Sequence, residues 1–219
     1  MESKCPVDHG AGNSSAPAKS TESACPVDHS SPSSPWSRFL PSRPSTSQNH
    51  PAALSNERET SSIPRASDSG NWVYPSEAQF FSAMARKNHN PQATDMKTIV
   101  PIHNAVNERA WSEVLKWEAG RGSDKCGGLK LINFKGKPGE RSIKARWKTL
   151  LGYSPPFDRH DWVVDRCGTK MRYIIDFYTG HTAGPASNNV SFYLDVRPAM
   201  DNWEGVKMRV EHFWSRILS

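Results

Sequence analysis

The run Trp162-Val163-Val164-Asp165-Arg166-Cys167-Gly168-Thr169-Lys170-Met171-Arg172-Tyr173-Ile174-Ile175-Asp176-Phe177-Tyr178 decides the fold class. Residues 162–165 and 171–178 are rich in β-branched and aromatic side chains, and polar turn residues separate them. A third such run, 190–196, follows after a stretch of loop composition at 180–189, so the three predict an antiparallel meander. A further short strand is expected at 130–134. Helical spacing surrounds these strands. Ser76 followed by Gln79 is a capping-box signature for a helix carrying Phe80, Phe81 and Met84. Residues 102–118 place His103, Val106, Ala110, Val114 and Trp117 on one stripe. Ser142 suits an N-cap for a helix at 143–151. A last helix, 201–218, spaces Trp203, Val206, Val210, Phe213 and Ile217 for one buried face. The expected class is α+β: a single domain of several helices packed on a small antiparallel sheet.

The chain has 219 residues, enough for one ordinary domain and a tail. Residues 1–70 are rich in Ser, Pro, Asn and Ala and poor in large apolar side chains. Such a segment cannot bury enough surface to offset its ordering entropy, so a disordered tail is expected there and a folded domain at 71–219. No apolar run is long enough to span a bilayer, and the start lacks a signal-peptide core or an arginine-rich presequence pattern. The net charge of +6 suits an acidic membrane surface, an acidic ligand, or a plain solvated basic face. Nothing resembling an RNA-recognition motif, zinc-finger spacing or phosphate loop supports nucleic-acid binding. The four cysteines (Cys5, Cys25, Cys126, Cys167) do not form the framework of a small secreted domain. A Cys126–Cys167 bond is open but not expected.

Chemistry concentrates at Pro156-Phe157-Asp158-Arg159-His160-Asp161-Trp162-Val163-Val164-Asp165-Arg166-Cys167-Gly168. So many charges cost free energy to bury unless paired, and they normally mark a site. Together with Ile102-His103-Asn104, Asn107-Glu108, Trp111 and Leu194-Asp195-Val196-Arg197-Pro198-Ala199, this window resembles the mitochondrial cytochrome c-type heme lyases (holocytochrome c synthases). The resemblance covers roughly residues 63–214.

That resemblance implies covalent attachment of heme to apocytochrome c or c1, through thioethers between the vinyl groups and the thiols of a Cys-X-X-Cys-His motif. Reduced heme b is then a substrate rather than a resident cofactor, and no zinc or nucleotide is called for. It further implies a peripheral place on the mitochondrial inner membrane, facing the intermembrane space. His103 becomes the axial ligand to the heme iron, since a neutral imidazole is a common iron ligand; the alternative is a core histidine at a helix start. Glu108, roughly 140° around the helix from His103, would orient a neighbour or hold an arginine, or simply face solvent. His160 would relay a proton or structure its loop. Arg146, Arg166, Arg159 and Arg197 are candidates for the heme propionates, because guanidinium pairs carboxylates bidentately; salt bridges to Asp158, Asp161, Asp165 and Asp195 are the alternative. Trp111, Trp117 and Trp162 are candidate porphyrin walls, with Trp72, Trp147 and Trp203 behind them, although each alone is more often core.

In the tail, Cys5-Pro6-Val7-Asp8-His9 recurs as Cys25-Pro26-Val27-Asp28-His29. The Cys-Pro-Val element resembles heme regulatory motifs, which adds Cys5 and Cys25 as heme-capturing thiols. A non-catalytic heme carrier or sensor is therefore the rival reading, and a basic module without heme is a second. Within the family, Asp95-Met96-Lys97, the run Cys126–Gly136 and Asn202-Trp203-Glu204-Gly205 look more like the c1 branch. Gly136-Lys137-Pro138-Gly139 with Ala145-Arg146-Trp147 resembles the c branch, and the balance leans to c1.

Overall fold

The computed structural model describes residues 54–180 and 191–218. The expected tail to residue 53, with both Cys-Pro-Val motifs and Cys5 and Cys25, lies outside the described residues, as does nearly all of the expected 180–189 loop. Order nevertheless begins before residue 71. Strand β1 (Thr60–Pro64) pairs antiparallel with β2 (Asn71–Val73). In β1, Ser61 and Ile63 are buried between exposed neighbours, so two inward side chains suffice to anchor a segment of tail-like composition.

The main sheet has four antiparallel strands in chain order: β3 (Lys130–Gly136), β4 (Asp158–Arg166), β5 (Thr169–Thr179) and β6 (Phe192–Pro198). This is the expected meander. Trp162 faces Tyr173 and Val164 faces Met171 across β4 and β5; Val196 faces Ile175 across β5 and β6. Those side chains form the core with Val106, Ala110, Trp111 and Val114 of the long helix α2 (Met96–Glu118). The helix begins six residues earlier than the sequence suggests and carries Pro101 inside. Burial of Met96, Ile99 and Val100 offsets the hydrogen bond that the proline cannot donate.

Helix α1 (Glu77–Arg86) has the full capping box: Ser76 Oγ accepts from Gln79 N–H, and Gln79 Oε1 accepts from Ser76 N–H. No residue of α1 is buried, so it lies shallowly on α2. Helix α3 (Ile143–Leu150) is capped by Ser142, whose Oγ accepts from Ala145 N–H. Helix α4 (Trp203–Leu218) meets the end of β6 through Gly205, where a Cβ would come within 2.0 Å of the Ala199 carbonyl. The face expected to be buried on α4 is not: Trp203, Val210, Phe213 and Ile217 are all exposed, and Met208 reaches the core instead. Apolar spacing identifies residues that share a face, and here nothing among the described residues covers that face.

The expectation of free Cys126 and Cys167 is also corrected. The two form a disulfide with Cα atoms 5.5 Å apart. The ion pair from Glu118 in the last turn of α2 to Arg166 at the end of β4 holds the Ser123–Cys126 turn near the β4–β5 hairpin, where Cys167 sits.

Candidate functional site

A strand's pleat sends alternate side chains to opposite faces, and it divides the 156–168 window in two. Asp158, His160, Trp162, Val164 and Arg166 face α2. Arg159, Asp161, Val163 and Asp165 face the other way. The cluster read as one site is thus two environments separated by a sheet.

On the α2 side, His103 and His160 come together. His103 is largely enclosed, with an edge reached by solvent. Phe80 of α1 packs edge-on to its ring at 5.1 Å, and Tyr74 does so at 6.5 Å. The Asn107 amide donates to the His103 carbonyl at 2.9 Å and lies 3.1 Å from Nε2. An i,i+4 amide therefore holds the lone pair at Nε2 and leaves the proton on Nδ1. Burial pushes His103 down to about 4, helped by the nearby His160 and only partly opposed by Asp158. At neutral pH this imidazole is uncharged, the form that ligates iron.

His160 Nε2 sits 3.2 Å from Asp158 Oδ2, and its ring packs edge-on to Phe177 at 4.9 Å. Its buried Nδ1 has no hydrogen-bond partner among the described residues. Lys87, just after α1, lies close enough to feel the Asp158 charge, while burial lowers its own pKa. Sequence reasoning missed Asp158, Lys87, Tyr74, Phe80, Asn107 and Phe177 as members of this group. Asn107 was legible as i+4 from His103; the others meet only through tertiary packing.

Glu108 belongs elsewhere. Its carboxylate accepts from the Ser61 hydroxyl (2.8 Å), the Ser62 backbone N–H (3.0 Å), the Ser62 hydroxyl and the Tyr74 hydroxyl (2.9 Å). Burial pushes this carboxyl up, but these donors outweigh it and hold it below the ordinary value. Glu108 clasps β1 and the β2–α1 link to α2, which supports the wall around His103 without touching the imidazole.

Three of the four arginines already hold carboxylates. Arg166 donates to Glu118 at 2.5 and 2.9 Å and to Glu204 at 2.9 Å, and Glu118 also accepts from Tyr173 Oη at 2.5 Å. Arg159 pairs with Asp161, and Arg197 with Asp176 and Asp195. Arg146 is exposed and forms no ion pair among the described residues. It rides on α3, which is anchored to the sheet face opposite His103. Among the tryptophans, Trp111 and Trp162 are core, and Trp117 donates to the Val196 carbonyl at 2.8 Å and stacks on His212. Trp147 and Trp203 are exposed, while Trp72 packs edge-on to Phe134.

Residues 1–213 match the family model described as cytochrome c/c1 heme lyase. A Schizosaccharomyces pombe protein named "Putative holocytochrome-c1 synthase" is 55% identical over 75% of this chain and 79% of its own length. A Chaetomium thermophilum protein of the same name is 51% identical over 88% of this chain and 68% of its own. The human holocytochrome c-type synthase is 46% identical over 77% of this chain and 64% of its own length. No solved structure matches. The site therefore sits in an enzyme lineage: the chain belongs to the cytochrome c/c1 heme lyase family.

Proposed function

We propose that this protein takes reduced heme b as a substrate and joins its vinyl groups to the thiols of an apocytochrome Cys-X-X-Cys-His motif, with cytochrome c1 favoured over c. The observation that carries the reading is His103: an imidazole held neutral by burial, walled by Phe80 and Tyr74, with its Nε2 lone pair directed by Asn107. The c1 preference rests on the two c1-named relatives. In this reading the enzyme lies at the mitochondrial inner membrane, facing the intermembrane space.

The chain's residues divide the work. His103 ligates the iron once the Asn107 amide releases Nε2. Helix α1, none of whose residues is buried, moves to admit the porphyrin. Lys87 is the cation beside the site for a propionate, in place of the arginines already committed to carboxylates. The apocytochrome histidine takes the other axial position, so the two thiols stand beside the vinyl groups and proximity supplies much of the rate. Each addition moves one hydrogen from sulfur to a vinyl carbon while the carbon–sulfur bond forms. His160, with Asp158 on Nε2 and a free Nδ1, is placed to pass that proton.

The test is co-expression with apocytochrome c or c1 in a bacterium lacking its own cytochrome-maturation system, scored by heme stain on a denaturing gel. Covalent heme on a cytochrome, lost in His103→Ala, is the expected result, with c1 labelled more than c. A purified protein that shows a Soret band but labels neither cytochrome would favour a carrier instead. Labelling undiminished in His103→Ala would remove His103 from the mechanism.

A further inference from the structure

Helix α3 is amphipathic in the inverted sense. Its inward residues are polar or small: Ser142 and Ala145 are buried, Ser142 Oγ donates to Asp176 Oδ2 at 2.6 Å, and Lys144 Nζ pairs with Asp195 at 2.7 Å. Its apolar residues point outward at i, i+4, i+7 and i+8. Ile143 is 69% exposed, Trp147 65%, Leu150 78% and Leu151 72%, and Tyr153 beyond them is exposed too. In a helix that simply packs on a domain the apolar stripe faces inward; here nothing among the described residues covers the stripe, which leaves it open to an apolar environment.

Charge identifies that environment. Residues 141–157 contain Arg141, Lys144, Arg146 and Lys148 and no Asp or Glu. Lys144 is tied to Asp195, and Lys148 lies over the Tyr178 ring at 5.6 Å. Arg141 and Arg146 are exposed beside the apolar stripe. Trp, Leu and Ile on a convex stripe flanked by cations, with no acidic residue, is the pattern of a helix lying in the interface of an anionic bilayer.

We propose that α3 and the turn to Tyr153 form a lipid-docking platform that seats this protein on an anionic membrane surface. The helix lies in the plane of the headgroups, Trp147, Leu150 and Leu151 enter the acyl boundary, and Arg141 and Arg146 meet lipid phosphates. The Lys144–Asp195 ion pair and the Ser142–Asp176 hydrogen bond keep the helix from turning over. This sharpens the membrane placement proposed above, and its test needs no heme, so it can fail while the lyase reading stands.

The experiment is flotation of the purified full chain with vesicles of phosphatidylcholine containing about one-third phosphatidylglycerol, and with vesicles of phosphatidylcholine alone. The wild type is expected to float with the acidic vesicles and far less with the neutral ones. The double variant Leu150→Glu/Leu151→Glu is expected to lose at least about tenfold in partitioning. Arg141→Gln/Arg146→Gln is expected to lose the preference for acidic lipid and its salt sensitivity. Both pairs are exposed, and an unchanged thermal midpoint confirms folding. A control pair, Phe213→Glu/Ile217→Glu, addresses the exposed end of α4. The proposal is overturned if the wild type does not float, if the α4 pair rather than the α3 pair abolishes flotation, or if the α3 pair floats normally. Normal flotation with weakened capture of an apocytochrome Cys-X-X-Cys-His peptide would make α3 a peptide dock instead.

Discussion

The two faces of the four-stranded sheet solve the burial problem in opposite ways. Toward α2 the strands present Trp162, Val164, Tyr173, Ile175 and Val196, and the helix covers them with matching apolar side chains. Toward α3 the same strands present Arg159, Asp161, Asp176, Asp195 and Arg197, each less than one-tenth exposed, paired in two groups: Arg159 with Asp161, and Arg197 with Asp176 and Asp195. The first face gains from area removed from water. The second breaks near even, because desolvation of the charges consumes much of their attraction. The difference teaches where function can reside. A face that supplies stability can afford an enclosed imidazole at its edge, and a face that supplies orientation can hold a helix with its apolar side outward.

The sharpest attempt to break that contrast is Glu118→Ala. It is a polar anchor deep in the apolar face, 2% exposed, and its loss strands Arg166 without its principal carboxylate. A loss of about 3–5 kcal/mol is expected in urea unfolding. Burial, reinforced by the Glu118 charge, keeps Tyr173 protonated well above the usual range, so its hydroxyl loses its acceptor as well.

A second test uses acid. His103 falls to about 4 in the folded chain against 6.5 for the free side chain. As pH drops, the unfolded chain binds the proton first, so stability is complete above about pH 6.5 and declines until about pH 4. The expected loss is about 3 kcal/mol across that window, and His103→Gln should flatten the slope. An unaltered slope in His103→Gln would show that the imidazole is not desolvated.

The charged face should respond more gently. Ser142→Ala removes both the cap of α3 and a hydrogen bond to Asp176, for about 1–2 kcal/mol. Hydrogen exchange should localise the change to α3. Least of all, Leu150→Glu/Leu151→Glu should move stability by no more than about 0.5 kcal/mol. A larger loss would mean that these side chains are covered within the folded chain.

Much of this arrangement is legible in the sequence. The meander followed from three β-rich runs, 162–165, 171–178 and 190–196, and both capping serines, Ser76 and Ser142, do cap their helices. The family followed from the motifs around His103 and His160. What escaped has common physical causes. Alternation along Asp158-Arg159-His160-Asp161 separates neighbours in sequence by the thickness of a sheet. The stripe on α4 was correct as a stripe, but periodicity carries no information about whether a partner covers it. The disulfide joins residues 41 apart and depends on how α2 docks. Ser61 and Ile63 bury in a segment whose composition reads as tail because their partners, Glu108 and the core, lie far along the chain.

The disulfide has a consequence for the conditions in which the enzyme can work. Its presence closes a loop of 41 residues between the end of α2 and the central hairpin. Chain-entropy arguments put the benefit of such a closure at about 4 kcal/mol. Yet the reaction proposed here consumes free thiols and requires them in the acceptor polypeptide. The catalyst and its acceptor thus hold sulfur in opposite oxidation states. A reductant that keeps the acceptor's cysteines available while acting on them in preference to Cys126–Cys167 preserves that closure, and a purification under strong thiol reductant would remove it from the catalyst.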